Sequence, residues 1–147
     1  YATAGLPDAV VVEGETDGVL ASADVALTAS GTATVQTALH DTPMVIVYRL
    51  SALTYRLGRR LVKLDTFGMV NLIAGSRIVP ELIQDDFTPE AVAREAISML
   101  TDTARAAAIR SGLAEVRRRL GGPGASGRAA AAILRTAGAA RTAQGPS

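Results

Sequence analysis

The chain has no cysteine, no tryptophan and one histidine. Without cysteine there is neither a disulfide framework nor a thiolate metal site, and the composition reads as that of a cytosolic protein. The one histidine, His40, has no tight cluster of carboxylates beside it, so no metal site and no metal cofactor are expected. Its place beside Asp41 at the end of a helix-compatible stretch suits a histidine facing the helix C-terminal dipole, a contact worth about 0.3–1 kcal/mol when protonated. Aromatic residues are scarce, with 3 tyrosines and 2 phenylalanines, and none interleaves with the basic residues. A stacking platform for nucleic acid is therefore missing, and no nucleic-acid partner is expected. No apolar run reaches the roughly 18 residues that a spanning helix needs. Lysine is nearly absent too: Lys63 is the one lysine among 15 basic residues, a bias that reflects genome composition more than chemistry. Tyr1 stands where an initiator methionine would, which points to further chain upstream and leaves room there for a leader segment.

What is present is unevenly spread. Residues 1–102 carry 7 basic and 13 acidic groups, whereas residues 103–147 carry 8 arginines against Glu115, within a net charge of +1. Such a basic run is ordinarily a solvated face. At 48% hydrophobic residues over 147 positions, the chain can bury one core. Val10–Val12 is an apolar triplet suited to a strand covered on both faces, and Glu15–Ser22 is a short helix candidate. Val25–Leu27 then leads into Ser30-Gly31-Thr32, Val35, Ala38 and Leu39 recur at helical spacing, and Met44–Tyr48 is a second apolar run after Pro43. The pattern predicts strand, tight turn, helix and strand, a βαβ unit of an α/β fold. Gly31 allows the sharp turn, and the first N–H groups of the following helix point outward without intrahelical partners, which favours an anion.

Beyond Arg49, the stretch Ser51–Lys63 reads as a helix with Ser51 as its N-cap, Leu53, Leu57 and Leu61 in one stripe and Arg56, Arg59, Arg60 and Lys63 in another. That basic stripe is either a solvated face or a surface that meets anionic lipid headgroups, at about 1 kcal/mol per basic residue. Phe67–Gly75 is apolar apart from Asn71 and is expected to be a strand or an irregular crossing segment. An amide buried there must be satisfied by backbone or by a ligand. Thr88-Pro89-Glu90 is a strong helix start, with Val92, Ala96, Met99 and Leu100 as the expected buried face. Asp102 opens the next helix, whose apolar positions are Ala106, Ile109, Leu113, Val116 and Leu120, and Gly121, Gly122 and Pro123 end it. A last helix is expected over about 126–136, followed by a disordered tail over 137–147.

Six pieces of this sequence, in order, carry a resemblance. Ala29-Ser30-Gly31-Thr32-Ala33-Thr34, Thr42-Pro43-Met44-Val45 with Val47-Tyr48-Arg49, Leu53-Thr54-Tyr55, Arg60-Leu61-Val62-Lys63, Val70-Asn71-Leu72-Ile73-Ala74-Gly75 and Val79-Pro80-Glu81-Leu82-Ile83-Gln84 resemble the lipid-A-disaccharide synthase family. The resemblance runs from about Val12 to Leu134. It implies an inverting, metal-independent glycosyltransferase of the GT-B type, two Rossmann-like domains facing across a cleft. Such enzymes join UDP-2,3-diacylglucosamine to 2,3-diacylglucosamine 1-phosphate and release UDP. Residues 1–136 would then be part of the C-terminal, donor-side domain, a partial Rossmann-like parallel sheet flanked by helices, with the acceptor domain upstream of Tyr1.

By the same resemblance Ser30, Gly31, Thr32, Gln36, Tyr48 and Arg49 would bind the UDP-sugar, and Asn71 would support catalysis near the donor. Arg56, Arg59, Arg60 and Lys63 would face the cytoplasmic surface of the inner membrane, and a homodimer is among the candidate assemblies. Where the family usually carries a glutamate on the helix after Ser-Gly-Thr, this chain has Gln36. Glutamine still accepts a hydrogen bond, but a contact of about 1.5–3 kcal/mol falls toward the 0.5–1.5 of a neutral pair. Two alternatives stay open at this point: another UDP-sugar transferase of the GT-B type, disfavoured by Tyr48-Arg49 and the Asn71 segment, and a nucleotide-binding module without chemistry of its own.

Overall fold

The computed structural model describes residues 8–29, 31–49, 66–122 and 124–143, with side chains through 136. Three strands, β1 (Ala26–Ala29), β2 (Met44–Tyr48) and β3 (Glu81–Ile83), form a sheet in the order β1-β2-β3. Both pairings are parallel, with Ala26 opposite Met44 and Ile46 opposite Glu81. Parallel neighbours cannot be joined by a tight hairpin, so each connection must cross over the sheet. Helix α2 (Thr32–Leu39) makes the first crossing, and the second includes the short helix α3 (Met69–Ala74). Preceding these is α1 (Thr16–Ser22); following β3 come the 3-10 turn Gln84–Asp86, α4 (Pro89–Thr101), α5 (Thr103–Leu120) and α6 (Ala125–Ala143). This is a partial Rossmann-like α/β unit.

The apolar run of β2 explains its central place: Met44, Val45 and Ile46 are fully buried, as a strand covered on both faces requires. Around it the core gathers Ala38, Val70, Val79, Leu82, Ala91, Met99, Ile109, Leu113 and Val116. Helix α5 lies against α2, α3 and α4. Its buried positions Ala106, Ile109, Leu113 and Val116 are those expected from the spacing, while Leu120 at the helix end is 41% exposed. Two arginines in its last turn tie neighbouring helix ends down. Arg119 donates to the carbonyls of Ile73 and Ala74 at 2.8 Å each, and Arg117 pairs with Asp41 at 2.6 Å. Cations are favoured where helix carbonyls end without partners.

Several expectations are corrected. Val10–Val12 forms no strand and is exposed; an apolar triplet becomes a strand only by pairing, and no described strand lies beside it. Phe67–Gly75 is neither strand nor irregular crossing but contains α3, because acceptors await its first N–H groups and Gly75 closes it in the left-handed conformation at φ 72°. Helix α2 buries Thr34 and Thr37 with Ala38, while Leu39 is 47% exposed. The threonine hydroxyls bond to Gly31 O at 2.7 Å and Ala33 O at 2.8 Å, so both residues can face inward without an unsatisfied donor. On α4 the buried positions are Ala91 and Met99, with Leu100 turned outward. The last helix continues to Ala143 beyond the expected end near 136, carried by its run of alanines, the strongest helix formers. The predicted helix Ser51–Lys63, with Arg56, Arg59, Arg60 and Lys63, lies outside the described residues, as does Ser30.

Candidate functional site

In an open parallel α/β sheet the crevice for a ligand lies beyond the carboxyl ends of the strands, where the loops leading into the helices gather. Here that edge carries the Gly31 turn after β1, Tyr48 and Arg49 at the end of β2, and the Gln84–Phe87 turn after β3. Gly31 sits at φ 130° and ψ −155°, a backbone that L side chains rarely adopt, and it caps α2. A Cβ built there would meet none of the described residues within 4 Å, so conformation and not crowding demands glycine. Among the described residues no side chain caps the start of α2; Thr34 N donates to Gly31 O at 3.1 Å, which leaves the N–H groups of Thr32 and Ala33 for an anion at this helix start. Thr32 is the first residue of the helix, so Gly31 and Thr32 lie together at this edge.

Arg49 follows directly on β2. Its Nη2 donates to the carbonyl of Phe87 at 3.0 Å, and its guanidinium carbon lies 5.4 Å from the centre of the Phe87 ring. Among the described residues no carboxylate pairs with it. A guanidinium has five donors in a fixed fork and remains charged. Among the described residues it is held by a carbonyl and a ring, neither of which cancels its charge. Tyr48, at the strand end, is 37% exposed.

Gln36 and Asn71 are placed otherwise. Gln36 lies more than a turn along α2, where its amide donates to Asp17 Oδ1 at 2.9 Å; the same oxygen meets His40 Nε2 at 2.9 Å. The amide of Gln36, and after it the His40 ring, hold the Asp17 carboxyl below its ordinary value. His40 is thus the C-cap residue of α2 and also a bridge to α1. Asn71 is 1% exposed on α3. Its Nδ2 donates to Val79 O at 2.9 Å and to Glu81 Oε1 at 2.7 Å, and its Oδ1 accepts from Ile78 N at 2.9 Å and Val79 N at 3.1 Å. All four partners belong to the backbone entering β3 or to its first residue, away from the carboxyl edge, and the amide has no hydrogen bond left to offer. Glu81 completes the cluster by accepting from Phe67 N at 2.8 Å and Gly68 N at 3.0 Å, and so closes the start of α3. The described residues hold no group of three or more histidines, cysteines or acids able to hold a metal ion.

Residues 5–134 match the sequence profile of lipid-A-disaccharide synthetase. The chain belongs to this family. Among curated relatives, the lipid-A-disaccharide synthase of Syntrophus aciditrophicus is 43% identical over 133 residues, 90% of this chain and 35% of the relative. That of Geobacter sulfurreducens is 43% identical over 137 residues, 93% and 35%, and that of Solibacter usitatus 46% identical over 124 residues, 84% and 32%. The chain therefore spans about a third of the length of the synthases it matches. Within that third, the family sequence folds into the parallel unit whose carboxyl edge carries the Gly31 turn and Arg49. Neither Phe87 nor Glu81 stands out in the sequence: one is a lone aromatic after two aspartates, the other an acid in a strand only three residues long. Among the described residues no helix is long and apolar enough to cross a membrane.

Proposed function

We propose that this chain is the donor-nucleotide part of a GT-B glycosyltransferase. In this reading the enzyme joins UDP-2,3-diacylglucosamine to 2,3-diacylglucosamine 1-phosphate, inverting the donor anomeric centre without a metal ion and releasing UDP. The observation that carries it, in a member of this family, is the presence at one sheet edge of a helix start at Gly31 that no described side chain caps and of Arg49, a cation that no described carboxylate neutralises. Transfer develops negative charge on the departing diphosphate. Donors already aimed at that charge stabilise the transition state without reorganising, and helix N–H groups and a guanidinium are such donors. Tyr48 and Thr32 border the same edge. Gln36 sits further along α2 beside the Asp17 carboxylate, so this chain offers an acid there through its neighbour. Asn71 supports turnover by fixing the approach to β3. Arg56, Arg59, Arg60 and Lys63 then meet the anionic headgroups of the cytoplasmic leaflet that holds both lipid substrates.

The test is UDP binding by titration calorimetry with the full-length protein. Gly31→Val forces a side chain into a backbone that excludes it. It is expected to weaken UDP binding at least tenfold while the melting curve stays cooperative. Wild-type affinity in a folded Gly31→Val protein would overturn the assignment of the diphosphate to this turn.

A further inference from the structure

Arg49 is secured in an unusual way for an arginine that has a task of orientation. A carboxylate would fix a guanidinium more firmly but would also cancel its charge. Among the described residues the fixing group is Phe87, through two features that leave the charge in place: the carbonyl oxygen, 3.0 Å from Nη2, and the ring face, 5.4 Å from the guanidinium carbon. A cation over an aromatic ring is attracted by the ring quadrupole without being neutralised. Phe87 can serve as a fixed platform because its ring packs partly buried against the core. The turn that delivers it is also demanding, since Gln84 adopts φ 57°, a left-handed backbone uncommon for a residue other than glycine, asparagine or aspartate. That reversal brings Phe87 N back onto Gln84 O at 3.2 Å and sets the ring beside Arg49, 38 positions earlier in sequence. Backbone held in a sparsely populated region is a feature of ligand-binding turns.

We propose that Phe87 is a positioning residue, which presents the Arg49 guanidinium to the diphosphate of the nucleotide sugar while leaving its charge whole. The inference rests on the reading that this sheet edge takes a nucleoside diphosphate sugar. It adds the device by which that site keeps a strong cation in place before ligand arrives.

The test uses the full-length protein, UDP as the probe, and four variants: Phe87→Leu, Phe87→Tyr, Arg49→Gln and the double Phe87→Leu/Arg49→Gln, each checked for a cooperative melt. Phe87→Leu keeps an apolar side chain but removes the ring face, and the dissociation constant for UDP is expected to rise about fivefold, the size of one charge–ring contact at a partly exposed site. The KM for the UDP-sugar should rise with it. Phe87→Tyr keeps the ring and should restore binding to within about twofold of wild type. In the Arg49→Gln background, Phe87→Leu should add less than about twofold, because its effect passes through Arg49. A purely structural phenylalanine would instead weaken the protein equally in both backgrounds. Loss of UDP affinity in Arg49→Gln together with wild-type affinity in Phe87→Leu, or independent effects that multiply in the double variant, would overturn the role of Phe87 alone. Wild-type affinity in Arg49→Gln would overturn it together with the reading of the site on which it rests.

Discussion

Asn71 shows at the residue scale what a buried amide demands and what sequence can say about it. The apolar surroundings of Met69–Ile73 already require that its donors and acceptor be met. Which groups meet them depends on residues 78–81, brought alongside only when the chain turns back into β3. Asn71→Ala would leave two backbone N–H groups and a carbonyl without their Asn71 partner in a buried site, and would remove one of the two donors to Glu81 Oε1. At about 1–3 kcal/mol for each group left unmet, and with partial relaxation, a loss of about 3 kcal/mol of unfolding free energy is expected in chemical denaturation. Asn71→Asp, although the same shape, should cost more, because it sets a second carboxylate 2.7 Å from Glu81. A stable Asn71→Asp protein would mean that the amide donors matter little. Gly31 is the opposite case: its turn was readable from two apolar runs and a glycine between them, since a positive φ is a property of one residue and needs no distant partner.

Elements bounded by local signals were legible, and those defined by remote partners were not. Thr88 accepts from Ala91 N at 3.2 Å with Pro89 at the first helical position, and Asp102 accepts from Arg105 N at 3.0 Å, as their sequence contexts predict. By contrast, α3 exists because Glu81, far along the chain, receives the N–H groups of Phe67 and Gly68. A Cβ at Gly68 would press on Ile46 Cδ1 and on Glu81 Oε1, so a larger residue there would have to displace one of these side chains. Helix α1 was legible as Glu15–Ser22, but the contacts that dock it are remote. It has no buried residue and is held by Thr42 Oγ1 donating to Leu20 O at 2.7 Å and by the Asp17 carboxylate, which takes Gln36 and His40. Because the folded Asp17 carboxyl titrates below its ordinary 3.8, its contribution is fully present above about pH 4 and is lost as pH falls through the lower, folded value. Amide exchange in α1 should therefore accelerate below pH 4, relative to the intrinsic rate, before exchange in α5 does. Asp17→Asn should show the faster exchange already at neutral pH. If α1 and α5 lose protection together at every pH, the Asp17 contacts do not hold the helix.

For the whole molecule, the proposed two-domain cleft gives the chain one edge of a crevice, which would limit what it can do by itself. It spans about a third of the synthases it matches, and its candidate donors for a diphosphate stand at the carboxyl ends of β1 and β2. Among the described residues the carboxylates on that edge are Asp85 and Asp86 of the turn after β3, while Asp17 and Glu81 are spent on Gln36, His40 and the start of α3. On the reading of a two-domain cleft, transfer needs donor and acceptor held in line, and that orientation alone accounts for about 7–11 kcal/mol of barrier lowering. On the same reading half a cleft is expected still to bind UDP, because the helix start and Arg49 are local to it, but not to supply the orientation. The 147-residue chain, purified and incubated with both lipid substrates, is therefore expected to yield no disaccharide by mass spectrometry, at a detection limit of about one part in 10⁴ of the full-length rate. The same preparation should bind UDP, and Arg49→Gln should weaken that binding. Disaccharide from the isolated chain would mean that the base and the acceptor site lie within these residues, and the two-domain reading would have to be abandoned.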